Sequence, residues 1–199
     1  MAHRRHGNPA DAARMVRRQL QRGRSTWQKP ARVLRALGVR RGQVIADVGA
    51  GPGFWTIPLA RRVGRRGHVF ALDPEPAALD VLRRRLAKVG VRNVTPVLND
   101  DTAPMLPDNA CDLAVIVNAY HHFADPPRFL RHISRCLKRG GRLVNIDWAD
   151  RDTPKGPPAH RRIAPAVFLR DARRAGLQLV AEHRFLPYQY FLVLRRSGR

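Results

Sequence analysis

The segment Asp47-Val48-Gly49-Ala50-Gly51-Pro52-Gly53 sets an acidic side chain before three glycines at alternate positions. Such a run turns through backbone angles barred to other residues, and it lets a ligand lie against the main chain without meeting a Cβ. The dinucleotide pattern needs a glycine three positions beyond the second, and Phe54 stands there instead. Asp73 closes the apolar run Val69-Phe70-Ala71-Leu72, about 20 positions past the glycines, where a carboxylate can take both ribose hydroxyls. Either acid could merely cap the helix that follows it. Two acids at the ends of two apolar runs around one glycine turn favour ligand binding over capping.

Other polar residues carry weaker chemistry. Asp100 and Asp101 follow a third apolar run, where they suit either a ligand contact or an ordinary Asx turn. In Asn118-Ala119-Tyr120-His121-His122-Phe123, one histidine has the right unperturbed proton affinity for a general base, with packing or covering the ligand as the duller role. Tyr120 is the third candidate in that stretch. A metal site is not expected, because no second His or Cys cluster stands at ligand spacing. Cys111 and Cys136 read as reduced and buried. Trp27 and Trp148 read as core or lid aromatics, with Trp148 also placed to line a pocket.

The elements that must position these residues alternate along the chain. Val33, Leu34 and Leu37 share a helical face closed by Gly38, and Val44–Val48 reads as a buried parallel strand. A strand over His68–Leu72 precedes a helix carrying Leu79, Leu82, Leu86 and Val89, closed by Gly90. Strands follow over Val94–Leu98 and Asp112–Val117, then a helix carrying Phe129, Leu130, Ile133 and Leu137 that stops at Gly140-Gly141, then a strand over Leu143–Ile146. Right-handed crossovers between such elements specify a parallel sheet covered on both sides. After a loop over Asp150–His160, balanced between a cover for a ligand and a plain connector, a helix over Val167–Ala175 leads to two further strands. These run over Leu177–Arg184 and Tyr188–Leu194 and read as a hairpin. Pro58 is expected to remove a hydrogen bond from the helix after the glycine turn and to kink it.

With these motifs in place, the chain resembles the class I S-adenosylmethionine-dependent methyltransferases over about Trp27 to Arg195. Their first motif is filled by Asp47, Gly49, Gly51 and Gly53, and their second-strand acid by Asp73. The resemblance implies a three-layer α/β Rossmann-like sheet, mostly parallel, with a C-terminal antiparallel hairpin. It implies S-adenosyl-L-methionine as cofactor, held by Asp47, Gly49, Ala50, Gly51, Gly53, Asp73, Pro74 and Asn118. Asp100 or Asp101 would reach the adenine amino group. His-His-Phe after the fourth strand is most like the subgroup related to quinone-biosynthesis C-methyltransferases and other small-molecule enzymes. A small-molecule acceptor and transfer by in-line displacement are therefore expected, which asks chiefly for alignment of the acceptor and explains why no catalytic triad is visible.

The charge of +23 leaves a second class open. Such a field attracts nucleic acid or an anionic surface non-specifically, and it would suit a methyltransferase acting on RNA or protein. Against that, only Lys29, Lys88, Lys138 and Lys155 are lysines, the arginines are dispersed, and Asn118-Ala119-Tyr120-His121 is not the Asn-Pro-Pro-Tyr pattern of amino-group methylation. A non-catalytic cofactor-binding module or a nucleotide-dependent oxidoreductase is the third class, since a fold does not set a function. Residues 1–26 are expected to be a basic, partly disordered arm and 27–199 the methyltransferase domain. With no apolar run of membrane-spanning length and no secretory pattern, the expected location is the cytoplasm.

Overall fold

The computed structural model describes residues 9–21, 23–100 and 102–197. Three helices come first: α1 (Pro9–Gln19), α2 (Arg24–Gln28) and α3 (Pro30–Leu37). Repeated strand–helix units follow: β1 (Val44–Val48), α4 (Thr56–Val63), β2 (His68–Asp73), α5 (Pro76–Val89), β3 (Val94–Leu98), β4 (Cys111–Val117), α6 (Pro126–Cys136) and β5 (Leu137–Trp148). The chain ends in α7 (Pro165–Arg174), β6 (Leu177–His183) and β7 (Gln189–Arg196). The strands form one sheet of order β3-β2-β1-β4-β5-β7-β6, in which β7 alone opposes the others. The expected class holds: a mostly parallel Rossmann-like sheet with a C-terminal antiparallel hairpin.

Alternation along the strands sorts the core into two faces. Ile45, Val69, Leu113 and Val115 pack against Val33 and Leu37 of α3 and Leu59 and Val63 of α4, with α5 seated beside them through Leu79, Leu82 and Leu86. Ala46, Val48, Ala114 and Ile116 face the other way, towards Phe129, Leu130 and Ile133 of α6 and Phe168 of α7. Each fully buried side chain of this kind contributes about 1.5–3 kcal/mol. The sheet is thereby covered on both sides, and its strand order reverses between β1 and β4, where sheets of this type open a crevice at the carboxyl ends.

Three expectations change. The helix carrying Phe129 ends at Cys136, so Leu137 is the first residue of β5, and Gly140-Gly141 lie inside that strand. The register slips between the Cys111↔Leu137 and Leu113↔Arg142 pairs, an irregularity that Gly140 accommodates with φ 72°. Pro58 is the third residue of α4 and falls among first-turn positions whose amides have no intrahelical acceptor, so it costs the helix no bond. Finally, within residues 1–26, expected as a basic and partly disordered arm, Pro9–Gln19 is helical and packs on α5, and α2 crosses the expected boundary at residue 26. The part of the expected arm before Pro9 falls outside the described residues.

Candidate functional site

β1 ends in a tight turn because Gly49, Gly51 and Gly53 all take positive φ, at 74°, 53° and 85°. The Gly49 and Ala50 amides both donate to Leu72 O, at 2.8 and 2.9 Å, which ties the turn to β2. A Cβ at Gly49 would meet Ala119 Cβ at 2.5 Å, and one at Gly51 would land on Gln19 Oε1. The glycines therefore let the end of α1 and the segment after β4 close in around bare main chain.

Both acids are buried beside that turn. Asp47, 2% exposed, accepts from Thr56 Oγ1 at 2.6 Å. Asp73, 7% exposed, accepts the Gly51 amide at 2.7 Å on one oxygen and the Glu75 amide at 3.0 Å on the other. Burial raises the Asp47 carboxyl to about 7, offset in part by the Thr56 bond and aggravated by the charge of Asp73. Burial raises Asp73 to about 6 against the pull of its two amide donors. Two buried carboxylates this close favour a cationic neighbour, and the protein supplies one in Arg24. Its guanidinium stacks 4.1 Å over Phe54, binds Gln28 Oε1 and Gln19 O at 2.7 Å each, and is lowered to about 10 by burial against the attraction of Asp47.

The remaining candidates fall into different places. Pro74 follows Asp73, half-buried. Asp100 is exposed, and its Oδ1 accepts from Thr102 Oγ1, the Thr102 amide and the Ala103 amide, bonds that hold its carboxyl below the usual range. That is a turn-forming pattern. Asp101 lies outside the described residues. Asn99 is the buried residue at this strand end, with Nδ2 on Asp100 O. Asn118 takes φ 54° after β4 and accepts from Gln189 Nε2 at 2.7 Å. Four buried polar atoms around these segments, Gln19 Oε1, Gln28 Nε2, Asn99 Oδ1 and Gln189 Oε1, have no hydrogen-bond partner among the described residues. Buried polar atoms of that kind are costly unless something satisfies them, which fits a polar ligand at the carboxyl ends of the strands.

Beyond β4, a short turn over Tyr120–His122 separates the catalytic candidates. Tyr120 is buried, donates to Asp171 Oδ2 at 2.9 Å and packs on Phe168 at 4.8 Å; burial and that carboxylate push its hydroxyl well above the ordinary tyrosine range. His121 Nδ1 meets Asp147 Oδ1 at 3.0 Å, and their side chains are 6% and 2% exposed. Asp147 also accepts the Trp148 amide. His122 is exposed and stacks on His121 at 4.0 Å. Trp148 lies 5.2 Å from Trp27, with Tyr188 6.1 Å from Trp27, and Gly156 of the following loop sits against the Trp148 ring. Arg162 fixes that loop through Pro157 O and Ala149 O.

Sequence reasoning missed Arg24, Gln28, Asn99 and Asp147. Arg24 lies in an arginine-rich stretch where nothing local distinguishes it. Asp147 sits within a buried strand, and its pairing with His121 joins positions 26 residues apart. Both cysteines are free and buried, with thiols raised by burial to about 12 for Cys111 and about 11 for Cys136.

Comparison with known proteins agrees with this geometry. Residues 45–141 match the family described as Methyltransferase domain. The ubiquinone/menaquinone biosynthesis C-methyltransferase UbiE of Escherichia coli K12/DH10B is 35% identical over 113 residues, covering 56% of this chain and 45% of that protein. The chain thus spans less than half the length of the curated relatives it matches. A SAM dependent methyltransferase from Aquifex aeolicus superposes with a TM-score of 0.87 at 24% identity, over 96% of this chain and 99% of the other. CrArsM, an arsenic(III) S-adenosylmethionine methyltransferase from Chlamydomonas reinhardtii, gives 0.63 at 21% identity, over 80% and 65%. The solved structures establish the fold, and the family match takes in the glycine turn and most of β1 to β4. Residues 45–141 thus match a methyltransferase domain, nearly the whole chain shares the fold of a SAM dependent methyltransferase, and S-adenosyl-L-methionine is the cofactor which that domain and fold imply.

Proposed function

We propose that this chain transfers a methyl group from S-adenosylmethionine to a small-molecule acceptor that gives up a proton during transfer. The observation that carries the reading is the pair of buried acids, Asp47 and Asp73, set on either side of the glycine turn. When bound, the cofactor supplies a methyl group on a sulfonium sulfur, open to in-line displacement by an aligned nucleophile.

The chain's own residues divide the remaining work. Asp73 would take the ribose hydroxyls, Asp47 would face the cationic amino-acid end, and Arg24 would take its carboxylate. Asn99 or Asp100 would meet the adenine. On the acceptor side, a carboxylate only accepts, so Asp147 holds the hydrogen on His121 Nδ1 and leaves the Nε2 lone pair to remove a proton. Ala119 abuts Gly49, which sets His121 two residues from the cofactor turn. Trp27 and Tyr188, half-buried beside the buried Trp148, offer flat apolar surface for an aromatic or alkenyl acceptor, in keeping with the C-methylation named for UbiE.

The test is transfer of radiolabelled methyl to a panel of phenols, quinols and thiols. His121→Gln and Asp147→Asn are expected to lower kcat on the responsive acceptor by about a hundredfold or more, with cofactor affinity unchanged. Full activity in His121→Gln would defeat the proton-removal part. The observation favouring an RNA acceptor is the charge of +23; methylation of RNA and of no small molecule would establish that reading instead.

A further inference from the structure

Parallel strands collect their amino-terminal ends on the side of the sheet opposite the glycine turn. On that side the exposed side chains are mostly arginines: Arg40 and Arg41 before β1, Arg65 and Arg66 before β2, Arg92 before β3, and Arg139 at the start of β5. β7 runs the other way, so its end brings the exposed Arg195 alongside Arg142 of β5. Arg61 and Arg62 at the end of α4 face Arg40 and Arg41 across a recess floored by Val39. None of these arginines pairs with a carboxylate among the described residues, and the acids flanking this end, Asp108 and Asp112, are taken by Arg135 and Lys138. Arg142 is lowered first by burial and then by the charges of Arg40 and Arg195, so the cluster repels itself.

We infer that this end of the sheet is a docking surface for the phosphate backbone of double-stranded nucleic acid, seated on the recess formed by Arg40, Arg41, Arg61 and Arg62. A self-repelling group of cations is relieved by phosphates, and arginine's planar fork suits them. The arginines run from β3 to β7, five strand spacings or about 24 Å, a span that matches a polymer of phosphates and exceeds any small anion. A membrane surface is the poorer partner because it asks for apolar side chains to insert. Of the exposed large apolar side chains among the described residues, Leu98 and Met105 lie at or past the other ends of the strands, Leu179 and Val180 lie on the edge strand β6, and only Val89 stands at this end.

The experiment is fluorescence anisotropy of the full chain with a labelled DNA duplex of about 20 base pairs across a salt series. It compares the wild type with two variants of equal charge. The first carries Arg40→Gln, Arg41→Gln, Arg61→Gln and Arg62→Gln; the second carries Arg84→Gln, Arg128→Gln, Arg131→Gln and Arg161→Gln on exposed surfaces away from this end of the sheet. The first is expected to lose at least about tenfold in affinity and to flatten the salt slope by about three, while the second stays near wild type. Thermal unfolding of each variant reports whether it folds, and Arg41→Glu alone is expected to reproduce a smaller loss. Equal loss in both fourfold variants would overturn the inference, leaving dispersed charge alone. Binding to phosphatidylglycerol vesicles with none to the duplex would overturn it in favour of a membrane.

Discussion

Asp73 accepts the Gly51 amide at 2.7 Å, so the acid closing the second strand directly holds the glycine turn that follows the first. The two marks of the proposed cofactor site are therefore one hydrogen-bonded unit. Its other oxygen holds the Glu75 amide, which leaves the carboxylate fixed in place at the end of β2.

The turn depends on glycine for two reasons at once. Gly51→Ala puts a side chain at φ 53° and drives its Cβ onto Gln19 Oε1. The left-handed backbone alone costs about 1–2 kcal/mol. Gly90→Ala is the matched control, since it also has positive φ, at 68°, and meets nothing within 4 Å. Thermal unfolding is expected to show a loss for both, and cofactor titration a loss for Gly51→Ala alone.

Asp47 is expected to make the cofactor-free protein less stable as pH rises. Its carboxyl is raised from 3.8 to about 7, so between those values the folded chain binds more protons than the unfolded one. Stability from this group therefore falls across that window, by about 1.4 kcal/mol for each pH step of one crossed within it. Asp47→Asn keeps an acceptor for Thr56 and removes the titration. Relative to wild type, it should gain stability from pH 5 to pH 7.5 in urea unfolding, and it should bind S-adenosylmethionine more weakly. A variant that tracks wild type across that range would show that Asp47 ionises at its ordinary value.

Tyr120 is assigned to structure. Tyr120→Phe leaves Asp171 without its hydroxyl donor in a buried place, a cost of about 1–3 kcal/mol. The expected outcome is a lower unfolding midpoint with kcat within about twofold of wild type at a temperature where the variant is folded.

Much of the scaffold was readable because its signals are local. Val44–Val48 and Pro30–Leu37 have the bounds expected from an apolar run and from a helical face closed by glycine. Asp47 and Asp73 could be placed beside the turn because strand ends and glycines are adjacent in the chain. Leu137 was misplaced because its apolar spacing continues the pattern of α6 while its backbone has already become strand. Arg24 and the His121–Asp147 pair were beyond reach for another reason. One is a single arginine among many, made distinctive only by Phe54 and Asp47 beside it, and the other joins two strand ends through the fold.

The most direct measurement is calorimetric titration with S-adenosylmethionine of the wild type and of Asp73→Ala, with unfolding midpoints recorded alongside. The account predicts saturable binding by the wild type and a loss of about 1.5–3 kcal/mol in the variant, the size of a charged hydrogen bond. No heat and no competition by S-adenosylhomocysteine with the folded wild type, or equal affinity in Asp73→Ala, would contradict it.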